Sequence, residues 1–373
     1  MRWDNLAASA PEPPLVGAGP SPSAAPPLPL ALPDAVVRTF DTPGFAGMTF
    51  YEVRAKSIIN RVPAVARVPF DWTINPYRGC GHACRYCFAR NTHTYLDLDA
   101  GHDFDSKVIV KVNAGDLLRR ELAARTWRGE HIAMGTNVDC YQRAEGRYRL
   151  MRGILSALRD FANPFSILTK GTLILRDLDL LRQAAEVTRV GVSFSVGFVD
   201  EATWRAVEPG TPSPRRRLDA VRTLSEAGFG VGVLMAPILP GLTDTDESIE
   251  ATVAAIAGSG AVSATPLPLH LRPGAREWYR SWLARDHPDL VARYDTLYRR
   301  GSYLPKAYQQ EVCQRVREAA RRHGLGRRTP AEARRLTDEP TGRPTTADAP
   351  RTPARARPPA IDATGPPEQL TLL

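Results

Sequence analysis

The stretch Asn75-Pro76-Tyr77-Arg78-Gly79-Cys80-Gly81-His82-Ala83-Cys84-Arg85-Tyr86-Cys87-Phe88 places three cysteines within eight positions, spaced C-x3-C-x2-C. Thiolates are soft ligands, and three on one short loop can wrap a single metal or a cuboidal iron–sulfur cluster. Gly79 and Gly81 let the loop bend tightly around it. Three cysteines are one too few to ligate all four irons of an electron-transfer cluster, so one iron would keep open positions for a substrate or cosubstrate. Catalytic zinc sites differ from structural ones in the same way. The rival is a zinc site completed by His82 or a distant ligand, in a nucleic-acid- or protein-binding module without turnover. Zinc motifs usually pair two separated Cys-x-x-Cys units, however, and the chain has no second unit.

Around this loop, short runs rich in β-branched residues alternate with amphipathic stretches. Residues 71–75, 131–135, 164–169, 189–196, 230–238 and 261–269 read as strands. Residues 149–159, 175–186, 213–227 and 245–257 read as helices, the third ending at Gly228 as a C-cap. Strand followed by helix, repeated along the chain, means a parallel sheet, open and doubly wound or curled into a full or partial barrel. In either form the chemistry belongs at the C-terminal ends of the strands, and the cysteine loop follows the first of them.

At these residues, C-x3-C-x-aromatic-C after a first parallel strand, with Tyr86 as the aromatic, resembles the signature of the radical S-adenosylmethionine superfamily. Within it, the chain is similar to the branch containing spore photoproduct lyase, often labelled DNA repair photolyase-like, and more narrowly to a bacterial group that opens on Asn-Pro-Tyr-Arg-Gly-Cys. The matching segments are Met134-Gly135-Thr136-Asn137, Leu168-Thr169-Lys170, Val192-Ser193-Phe194-Ser195 and Ala236-Pro237-Ile238-Leu239-Pro240-Gly241-Leu242. The resemblance implies an α/β fold, a partial (β/α)6 TIM-like barrel. It implies that Cys80, Cys84 and Cys87 hold a [4Fe-4S] cluster whose fourth iron binds the methionyl amino and carboxylate groups of S-adenosyl-L-methionine. One electron then splits the sulfur–C5′ bond to give a 5′-deoxyadenosyl radical that abstracts hydrogen from a substrate, a DNA lesion being one candidate. The electron would come from an external donor such as flavodoxin or ferredoxin.

Tyr86, Thr136, Lys170 and Ser195 are the expected cosubstrate contacts. Lys170 stands out because the chain has only five lysines, at 56, 107, 111, 170 and 306, against 44 arginines. A strand-tip ammonium is a compact point charge suited to a carboxylate. Pro240-Gly241 would let backbone approach an adenine ring. Cys140, close to the second strand tip, is the candidate hydrogen-atom donor to a product radical, and Cys313, in a helical pattern at 308–322, is a small core residue. The aromatics Trp278, Tyr279, Trp282, Tyr294, Tyr298, Tyr303 and Tyr308 suit either base stacking or a C-terminal helical layer, the layer being the commoner use.

Composition bounds the rest. The 33 prolines gather towards the ends, so residues 1–47 and 326–373 read as disordered tails around one domain at 48–325. Of the net charge of +9, a surplus of 7 comes from residues 315–358, where 12 arginines face five acids. The folded centre is near neutral, and contact with a phosphate backbone falls mainly to the tail. No stretch approaches the roughly 18 consecutive apolar residues of a membrane span. Five cysteines, three of them on one loop, do not form a disulfide framework, and a reducing cytoplasm is the expected setting.

Overall fold

The computed structural model describes Leu32, residues 34–63, Ala66 and residues 68–325. Its strands are β1 (Val36–Arg38), β2 (Thr49–Val53), β3 (Ile59–Arg61), β4 (Trp72–Ile74), β5 (Tyr77–Arg78), β6 (Lys107–Lys111), β7 (Ile132–Met134), β8 (Phe165–Thr169), β9 (Val190–Ser195), β10 (Gly232–Ile238) and β11 (Ser263–Pro268). The six expected strands are β4 and β7 to β11. They lie side by side in chain order, every pair parallel, with β3 antiparallel outside β4. A doubly wound sheet reverses its order at a switch point. This sheet never reverses, so it winds one way, and its end strands β3 and β11 are not paired with each other. The fold is the expected partial (β/α)6 barrel.

The helices form where local chemistry starts them. Ser213 accepts from the Arg216 amide at 3.3 Å with Pro214 in the first turn, and Thr245 accepts from the Ser248 amide at 3.2 Å. These caps launch the helices Pro214–Glu226 and Asp246–Gly258. One continuous core lies between the strands and the helices, including Ile74, Met134, Ile154, Leu155, Phe194 and Val233. The helix Lys306–Arg322 adds Val312 and Val316 to it and covers β11.

A second sheet, ordered β1-β2-β6-β5, was not expected. It narrows the N-terminal tail as well: β1 and the short 3-10 turn Pro43–Phe45 fall within residues 34–47, and β1 pairs antiparallel with β2 from Val36 opposite Glu52 to Arg38 opposite Phe50. Residues 1–31 and the tail at 326–373 lie outside the described residues. Most of the C-terminal aromatics form a layer rather than a stacking surface. Tyr279, Trp282, Tyr294 and Tyr298 are buried in one cluster, while Tyr303 is exposed.

Candidate active site

The cysteine loop is strapped to four separate parts of the chain. The Cys80 amide bonds the Phe104 carbonyl at 2.9 Å, the Arg85 amide that of Val207 at 2.9 Å, and the Gly210 amide that of His82 at 3.1 Å. Fully buried Gln142 grips the loop from both sides, donating to the Gly79 carbonyl at 2.8 Å and accepting from the Gly81 amide at 3.0 Å. Arg90, also fully buried, reaches the Cys84 carbonyl at 2.8 Å, bonds Asp105 at 2.8 Å, and lies over the Trp278 ring. Two glycines are required. Gly79 has φ of 81°, and a Cβ there would lie 2.6 Å from the Lys107 carbonyl oxygen; at Gly210 it would lie 2.1 Å from that of Gly81.

Cys80 and Cys84 are buried and Cys87 is partly so. Burial pushes all three thiol pKa values up, and at Cys80 the neighbouring Cys84 and Cys87 add to the rise. Among the described residues, no three His, Cys, Asp or Glu side chains converge tightly enough for a single ion. Three thiols on one strapped loop, near enough to feel one another, fit a multi-iron cluster as its ligands.

His82 faces away from such a role. Its Nδ1 sits 3.4 Å from Asp139, and burial depresses its pKa to about 4 against the pull of that carboxylate. Asp139 is otherwise committed, accepting from the Tyr141 amide at 2.9 Å, the Thr169 hydroxyl at 2.6 Å and the Lys170 amide at 2.6 Å. These bonds tie the loop after β7 to the tip of β8.

Lys170, at that tip, meets the residues expected of it. Its Nζ donates to Ser195 Oγ at the end of β9, lies 3.4 Å from the Ala236 carbonyl in β10, and sits 5.7 Å from the centre of the Tyr86 ring. Thr136 stands apart, its hydroxyl 3.0 Å from that of Thr73 on β4. Pro240-Gly241 forms a turn whose Gly241 amide donates to Asp244 at 2.7 Å.

The centre of the network is a residue sequence reasoning missed. Glu208 is fully buried; it accepts from the Tyr86 hydroxyl and from Arg217, and lies 3.3 Å from Lys170 Nζ. Burial would raise the Glu208 pKa, but Arg217 and then Lys170 overcome it and hold the carboxyl at about 2. Arg217 is itself buried, bonding the Ser195 carbonyl at 3.0 Å and the Thr211 hydroxyl at 2.6 Å. Fully buried Arg217 and the mostly covered Lys170 thus share one carboxylate beside the cysteine loop, and the ammonium is the more accessible of the two cations.

Cys140 is not at the mouth. It is fully buried in the core behind the sheet, with Ile74, Met134 and Met151. A thiol buried in that core is not open at the strand tip where a hydrogen donor was expected. Cys313 is half-buried on the helix Lys306–Arg322.

Comparison with known proteins places this geometry. Residues 74–254 match the Radical SAM superfamily. An uncharacterized protein of Mycobacterium tuberculosis is 50% identical over 281 residues, covering 75% of this chain and 83% of its own length. An uncharacterized protein of Methanocaldococcus jannaschii is 32% identical over 203 residues, covering 54% of this chain and 72% of its own. Among solved structures, spore photoproduct lyase complexed with dinucleoside spore photoproduct shares the fold at a TM-score of 0.57 and 16% identity, over 74% of this chain and 79% of that one. The superfamily match spans the cysteine loop, the strand tips that carry Lys170 and Ser195 and the turn that carries Glu208, so the chain belongs to the radical SAM superfamily.

Proposed function

We propose that the protein is an enzyme that cleaves S-adenosyl-L-methionine reductively at a [4Fe-4S] cluster held by Cys80, Cys84 and Cys87. When bound, the cluster supplies one electron to S-adenosylmethionine, releasing the 5′-deoxyadenosyl radical that abstracts hydrogen from the substrate. The observation that carries this reading is the cation pair on Glu208 beside the cysteine loop. Lys170 and Arg217 share that single carboxylate, so Lys170 is fixed in place yet keeps capacity for the methionyl carboxylate. Ser195 positions the ammonium by accepting from it while donating to the Ala236 carbonyl at 2.8 Å. Tyr86 is held by Glu208 with its ring beside Lys170, suited to packing against the cosubstrate. Thr136, paired with Thr73, stands apart from this group. The electron donor is an external protein of the flavodoxin or ferredoxin kind.

The test is anaerobic: reconstituted protein with dithionite and S-adenosylmethionine should form 5′-deoxyadenosine, and a Cys84→Ala variant should form none. Intact cluster without 5′-deoxyadenosine overturns the proposal, as does one zinc per chain by metal analysis. A zinc site would need a further ligand beyond the three cysteines, and His82, the candidate within the loop, is engaged with Asp139. The substrate is an open choice between a DNA lesion, of the type in the spore photoproduct lyase complex, and a small molecule, protein or RNA to be modified. Binding of ultraviolet-damaged DNA, compared with and without residues 326–373, separates these. Damage-selective binding that survives removal of the tail supports the lesion; loss of binding with the tail rejects it.

A further inference from the structure

The tips of β4 and β7 carry polar groups that the Glu208 network does not use. Ile74 belongs to the core between strands and helices, and Trp72 packs against that core edge-on to Trp127. Alternation along the strand therefore turns Thr73 and Asn75 to the barrel's interior, as the contact between Thr73 and Thr136 shows. Asn75 is only 5% exposed, yet neither its Nδ2 nor its Oδ1 has a hydrogen-bond partner. On the adjacent tip, Asn137 Oδ1 is also buried and unpartnered. Buried polar atoms in folded proteins are almost always bonded, so an amide orphaned at both ends marks a place where another molecule completes the bonding.

The chemistry of that molecule follows from the amide. A carboxamide presents a donor and an acceptor side by side in one plane, and its complement is a neutral group with the reverse pair. Charged groups have their place elsewhere at the mouth, at the tips of β8 and β9, where Lys170, Glu208 and Arg217 gather. The ionic side is matched to the amino-acid end of the cosubstrate and the amide side is left for the substrate.

We propose that Asn75, with Asn137 on the neighbouring tip, is a substrate-recognition subsite for a carboxamide or lactam edge. Only the fate of the bound group rests on the radical reading; binding needs neither an electron nor turnover. The shared chemistry has two sources, a nucleobase lactam and a peptide carboxamide. Saturation-transfer NMR on the full reconstituted chain with S-adenosylmethionine would use uracil for the first, N-acetylglutaminamide for the second, and 1,3-dimethyluracil as a control whose lactam donors are blocked. We expect one of the first two to bind at least about 10-fold better than the control, and Asn75→Leu to abolish that preference. Asn75→Asp, which keeps the shape but loses the donor, should abolish it too and guards against misfolding of the leucine variant.

Failure of all probes to bind, equal binding of the control, or an undiminished preference in both variants overturns the subsite. A variant that weakens S-adenosylmethionine binding while leaving the probe preference intact also overturns it, because Asn75 then serves the cosubstrate's adenine. 5′-Deoxyadenosine formation measured in the same samples without probe keeps the two ideas apart. Normal formation with no probe preference sinks the subsite alone, and preference with no formation sinks the radical reading alone.

Discussion

Glu208 and Lys111 show what single residues do here and how much of it a sequence conceals. Glu208→Gln leaves buried Arg217 and the mostly covered Lys170 without their shared anion, so urea unfolding should show a loss of about 3–5 kcal/mol. Lys170→Met should cost less stability, because Arg217 still satisfies Glu208, but should weaken S-adenosylmethionine binding more, measurable by calorimetry on the reconstituted protein. Lys111, at the end of β6, is buried, and burial lowers its pKa to about 7, with Arg78 adding to the shift and Glu121 opposing it. In the unfolded chain the same amine holds its proton up to about 10.4. Between these values the unfolded state binds more protons, so stability rises with pH by up to about 1.4 kcal/mol per unit from this group. Lys111→Met should stabilise the protein at pH 7 and flatten that rise, read from thermal melts between pH 7 and 10. Lys170 was legible because lysine is scarce in this chain and this one follows a strand. Glu208 and Arg217 were not: one sits in a Pro- and Gly-rich turn, the other is one arginine among 44, and only folding brings them together. Cys140 misled because nearness to a strand tip does not say which way a side chain points, and the chain bends through Gly135, which has φ of 73°.

At the scale of elements, two loop-to-helix junctions hold the site. Glu145, fully buried, accepts from the Leu150 amide at 3.0 Å and the Met151 amide at 3.1 Å, opening the helix Leu150–Asp160, while Arg176 and the Tyr77 hydroxyl bond the same carboxylate. Glu145→Ala should therefore cost about 3 kcal/mol in chemical denaturation and loosen the segment that leads into the cysteine loop. Gly210→Ala should act differently, pushing the loop through its contact with the Gly81 carbonyl and lowering iron content per chain more than melting temperature. The six barrel strands were legible because short apolar runs, several of them rich in β-branched residues, alternate with helical patterns. The second sheet was not, because its strands are as short as two residues and pair across wide gaps, β5 with β6 and β2 with β6. Local pattern carries no record of such pairing.

For the molecule as a whole, the barrel's open edge is the point of dependence. Val316 lies fully buried on the helix that covers β11, and Val316→Ala should cost about 2 kcal/mol through the cavity it leaves. The fold class was legible from strand count and spacing. The choice between an open sheet and a barrel needed the observed order of strands, since periodicity is the same in both. No helix among the described residues is long and apolar enough to cross a membrane. The straps on the cysteine loop have one more consequence. They run between backbone, Gln142 and Arg90, so the protein's own hydrogen bonds hold the shape of the loop. Zinc fingers, by contrast, unfold when stripped. Chelation of the reconstituted protein should leave its melting temperature within a few degrees of the starting value, and iron and sulfide added back should restore the bound iron without a round of refolding.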